Sequence, residues 1–122
     1  MLTIVLLTGV LAVVQQSAES PKLEVPVLKA GLGSCSADFV VKDANAQPIY
    51  AANVHVRIRY GFMNVKRMDL EIGTNSEGKA RFEGLPAKAK PLVYDVQKDT
   101  LKSSVEQDVA TECEAKYEVT LK

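Results

Sequence analysis

From Ser34 onward the chain alternates apolar and polar residues in short runs separated by turn residues, a period of two that belongs to half-buried strands and not to helices. The clearest run is NVHVRIRY, in which Val54, Val56, Ile58 and Tyr60 fall on one face and His55, Arg57 and Arg59 on the other. RMDLEIGT repeats the pattern, with Met68, Leu70 and Ile72 inward and Asp69 and Glu71 outward. SADFVVKD precedes these two, and ARFEGLP, PLVYDVQKD, TLKSSVEQDV and CEAKYEVTLK follow. The pattern therefore predicts an all-β, antiparallel-rich Greek-key sandwich of seven strands.

Pairing Ile58 with Leu70 across the first hairpin would set Arg59 opposite Asp69 and Arg57 opposite Glu71, so that the charges of the wet face satisfy one another. The stretch TNSEGKARFEGLP poses a different question, because it is polar and carries Gly78, Gly84 and Pro86. It reads as a turn with a positive φ at Gly78 followed by a strand centred on Phe82. A phosphate-binding loop would need more glycines leading into a helix N-terminus, and no nucleophile and base stand together here.

Before Ser34 the pattern changes. Leu2 to Val14 is an apolar run too short to span a bilayer comfortably, and Ala18 offers a small residue for cleavage, so residues 1–18 read as a signal peptide. A retained anchor and a buried first strand are the rival readings. Residues 19–34 carry Pro21, Pro26, Gly31 and Gly33 and read as an extended leader to a single domain over 35–122. The expected location is secreted, periplasmic or cell-envelope.

Composition narrows the function. Hydrophobic residues make up 47% and charged residues 25%, which fits a globular chain with a core. Fifteen basic residues balance fifteen acidic ones, so no net field draws in nucleic acid. Cys35 and Cys113 have neither metal-ligand spacing nor a Cys-x-x-Cys motif. In an oxidising compartment a disulfide is the natural reading, with first and last strands side by side and parallel; two buried thiols are the alternative.

The stretches ADFVVKDANAQPIYAANVHV (37–56) and TNSEGKARFEGLP resemble the strand-turn-strand and threonine, amide, glycine, aromatic, leucine-proline signatures of the carboxypeptidase regulatory-like domains, whose fold is the transthyretin-like (prealbumin-like) sandwich. That resemblance implies an accessory, spacer or binding module that is not an enzyme, needs no cofactor, and binds another protein or a surface glycan. A small hydrolase or carrier on the same sandwich is the alternative. The family fold also hosts a hydrolase built on several histidines, but here His55 stands alone on an outward position.

Three further features are candidate sites. Arg57, Arg59, Lys66 and Arg67 form an anion surface unless the acids opposite neutralise them. Asp43, Asn45 and Gln47, and Asn75 and Glu77, place oxygens at alternate turn positions, a pattern that suits turns better than a dedicated calcium site. The loop GFMNV sets Phe62 and Met63 at a hairpin tip, either as a contact surface for a protein partner or as a cap folded back on the core.

Overall fold

A computed structural model describes residues 24–122; the expected signal peptide at 1–18 lies outside them. Among the described residues there are eight strands: β1 (Val27–Lys29), β2 (Cys35–Asp43), β3 (Asn53–Tyr60), β4 (Lys66–Gly73), β5 (Lys79–Leu85), β6 (Leu92–Lys98), β7 (Leu101–Gln107) and β8 (Glu114–Leu121), with one 3-10 turn at Phe62–Asn64. They form two four-stranded sheets, ordered β1-β5-β2-β8 and β4-β3-β6-β7. The all-β sandwich is as the alternation predicts. The additional strand is β1, which lies in the expected leader and pairs parallel with β5 from Val27 opposite Arg81 to Lys29 opposite Glu83. Its three residues are too few for a periodic signal, and they place Val27–Lys29, within the expected leader, at the edge of the first sheet.

The inward set matches the period of two. Ala37, Phe39 and Val41 of β2, Phe82 of β5 and Leu121 of β8 meet Val54, Val56 and Ile58 of β3 and Tyr94 and Val96 of β6, all of them buried. Phe39 sits at the centre, its ring 4.8 Å from Tyr94 and 6.0 Å, edge-on, from Phe82, a geometry that aromatic quadrupoles favour. The buried Tyr94 hydroxyl donates to Gln107 Oε1 at 2.6 Å, and Gln107 Nε2 donates in turn to the Ser36 and Glu112 carbonyls. This network gives the buried Tyr94 hydroxyl and the buried Gln107 amide their partners.

β2 and β8 run parallel from Ser36 opposite Glu114 to Asp43 opposite Leu121. Their starts bring Cys35 and Cys113 to a Cα separation of 4.6 Å, and the two form a disulfide. Both the pairing and the parallel arrangement agree with the sequence reading.

The β3–β4 register differs from that expected. Ile58 faces Met68, Val56 faces Leu70, Arg57 faces Asp69 and Arg59 faces Arg67. A shift of two residues leaves every side chain on its own face, so alternation cannot detect it; the loop length decides. The chain turns within residues 61–65, and Tyr60 pairs with Lys66.

Candidate functional site

The TNSEG stretch is a structural clamp. Buried Thr74 accepts the Ala52 N–H at 2.9 Å and donates to the Ile49 carbonyl at 2.6 Å. Asn75 Oδ1 accepts the N–H groups of Glu77 and Lys79, while its Nδ2 donates to the Glu24 carbonyl at 3.1 Å. Gly78 has φ +75°, and a Cβ there would run into the Val41 carbonyl. The DANAQP turn is similar in kind, since Asp43 Oδ1 accepts from the N–H groups of Asn45 and Gln47.

The outer face of the β4-β3-β6-β7 sheet gathers the residues that remain. β3 keeps β4 as a ladder partner through Tyr60, but its ladder to β6 ends where Val56 faces Tyr94. Pro91, which lacks an N–H, stands immediately before β6. The parting leaves a groove of about 510 Å³ lined by His55, Arg57, Arg59, Lys90, Val93 and Asp95, among others. Sequence reading found the arginines but missed the groove, whose signal was that proline.

Beside the groove, on β4, Asp69 is the shared anion. Arg57 Nε donates to its Oδ1 at 2.9 Å, His55 Nε2 lies 3.3 Å from the same oxygen, and Arg67 Nε is 3.9 Å from Oδ2. The hydrogen bond from Arg57 is the main reason that the Asp69 carboxyl lies below its ordinary value. His55 is thus not alone, for its Nδ1 also lies 3.9 Å from Asp95. Among the described residues no carboxylate lies within 4.0 Å of Arg59, which stands across the ladder from Arg67. The expected Arg59–Asp69 pairing is therefore replaced by two like charges.

Above this pair lies the hairpin tip. Phe62 is 83% exposed, Met63 77% and Val65 74%, so the reading of Phe62 as a core cap is overturned. The tip is held by N–H groups of Asn64 and Val65 donating to the carbonyls of Gly61 and Phe62. Gly61, Met63 and Asn64 all have left-handed φ, at 81°, 57° and 56°. A methionine in that region costs of order 1 kcal/mol, and here the cost points an apolar side chain into water.

A depression on the other sheet, about 430 Å³, includes Asp38, Lys79 and Lys116. Its Asp38 is held by Arg81 at 2.7 Å, which also binds Glu83 at 2.7 Å. Among the described residues no group of three or more His, Cys, Asp or Glu side chains is placed to hold a metal, and no helix is long and apolar enough to cross a membrane.

No protein-family model matches the chain, and no curated protein matches it in sequence. Among solved structures it is similar to catechol 1,2-dioxygenase from Pseudomonas arvilla C-1, with a TM-score of 0.53 and 12% identity over 81% of this chain; the match spans 58% of that enzyme. It is also similar to the dioxygenase domain of a dioxygenase carbohydrate-binding protein fusion from Streptomyces sp. SirexAA-E, with a TM-score of 0.53 and 11% identity over 88% of this chain and 95% of that one. At such identity the likeness is one of fold. It nevertheless corrects the expectation that the chain is not an enzyme: the sandwich is one that dioxygenases also carry, so the architecture gives no ground for placing it outside catalysis.

Proposed function

We propose that the chain is a binding module of a secreted or envelope protein that docks onto a macromolecule or other surface outside itself through its β3–β4 hairpin tip. The observation that carries this reading is the outward presentation of Phe62, Met63 and Val65 on a loop held by its own hydrogen bonds at the end of a two-stranded arm. Met63 is kept in water at the cost of left-handed backbone, and none of the three apolar side chains contributes to the core, so their use lies outside the chain. The two-sheet architecture supports the resemblance to the carboxypeptidase regulatory-like domains, and the disulfide is compatible with an extracellular location.

The double change Phe62→Ala with Met63→Ala tests it. Both side chains are exposed, so unfolding free energy should stay within about 0.5 kcal/mol of the parent. Retention of the chain by its native envelope fraction, membranes and proteins together, should fall. A loss of about 3 kcal/mol or more with retention intact would return the tip to a structural role.

A further inference from the structure

The chemistry around the tip selects among the molecules that it could dock on. Behind the apolar apex stand Lys66 and Arg67 at the start of β4 and Arg59 near the end of β3. A strand advances about 3.4 Å per residue, so along the chain these cations lie roughly 3 to 10 Å from the apolar side chains of the apex. Arg59 and Arg67 are direct cross-strand partners, an arrangement that like charges disfavour. Asp69, on the same strand as Arg67, is shared, receiving Arg57 at 2.9 Å and standing 3.9 Å from Arg67, so one carboxylate faces several cations. A chain with equal numbers of acidic and basic residues has thus gathered an excess of positive charge beneath one exposed apolar projection.

We propose that the tip inserts into the interfacial layer of an anionic lipid bilayer. Phe62, Met63 and Val65 enter the boundary between headgroups and acyl chains, and Arg59, Lys66 and Arg67 bind headgroup phosphates. This rests on the docking reading above and names the partner. A convex apolar projection needs a matching pocket to bind a protein, whereas a bilayer interface receives it without one. The long stems of arginine and lysine let the charged heads remain in the headgroup layer while the apex goes deeper. The same negative surface would offset the repulsion between Arg59 and Arg67 that the isolated fold leaves standing.

The chain has no tryptophan, so Phe62→Trp in the full chain places a single reporter at the apex. It should show blue-shifted emission, and quenching by brominated acyl chains, with phosphatidylcholine vesicles carrying about 30 mol% phosphatidylglycerol. Raised salt should weaken the shift, and Arg59→Glu with Arg67→Glu in the same background should lower vesicle affinity at least about tenfold. If the vesicles capture the chain while emission and quenching do not change, another segment binds lipid and the inference falls. If no shift occurs but a protein of the envelope is captured in a manner that depends on Phe62 and Met63, the partner is a protein: the lipid inference fails and the docking reading stands. Loss of neither lipid nor protein capture in the Phe62→Ala, Met63→Ala variant would defeat both.

Discussion

Reduction of the Cys35–Cys113 bridge is expected to remove about 4 to 5 kcal/mol of stability. The cysteines are 78 positions apart. Closing a loop of that length withdraws about 15 cal/mol/K from the unfolded ensemble in the chain-entropy model, or about 4.5 kcal/mol at 25 °C. Reduction keeps both sulfurs in place, so no cavity adds to the loss. Urea unfolding of the full chain, with and without a thiol reductant, measures it directly. For a slope of about 1 to 3 kcal/mol per molar, the midpoint should fall by roughly 1.5 to 4.5 M. Because Cys35 is completely buried, the Cys35→Ala, Cys113→Ala variant should fall further than the reduced parent. A midpoint shift below about 0.5 M would refute the argument and mean that the unfolded chain already keeps β2 near β8 without the bridge.

Asn75→Ala should cost about 2 to 3 kcal/mol in the same assay, since two turn N–H groups and the Glu24 carbonyl lose their partner at a buried position; a loss under about 0.5 kcal/mol would show that the clamp is not structural. Arg57→Ala should return the Asp69 pKa upward toward 3.8, followed by carboxyl-carbon NMR titration. The folded pKa is the depressed one, so the interaction stabilises above the unfolded value and is lost as pH falls through the folded value. The parent should therefore lose this stabilisation on acidification while the variant has little of it to lose, and an unchanged Asp69 titration would assign the depression to another group.

Alternation made the inward faces of β2 to β8 legible, because burial imposes a period of two on side chains whatever the pairing. It could not choose between Leu70 and Met68 as the partner of Ile58, for both share a face; that choice lay in left-handed backbone at Gly61, Met63 and Asn64, and only the glycine advertises such a conformation. The register error carried into the site, since it assigned Arg59 an acidic neighbour that in fact belongs to Arg57. Thr74 and Asn75 were legible as turn residues but not as buried ones, because their burial depends on Ile49 and Glu24, distant in sequence. Exposure of Phe62 followed neither from composition nor from period, as either reading of the tip satisfies both.

The parallel union of β2 with β8 also sets a schedule for synthesis. Seven of the eight described strands can leave the ribosome while β2 still lacks one neighbour, and the edge it shows is lined by backbone groups that β8 will pair. Assembly must wait for residue 121, long after the β3–β4 hairpin has been able to close on itself. A nascent chain stalled before Glu114 would present Phe39 and Val41 beside an open strand edge, the combination most prone to pair with a second copy. Chaperone dependence during translation should therefore concentrate in the interval between the appearance of β2 and that of β8.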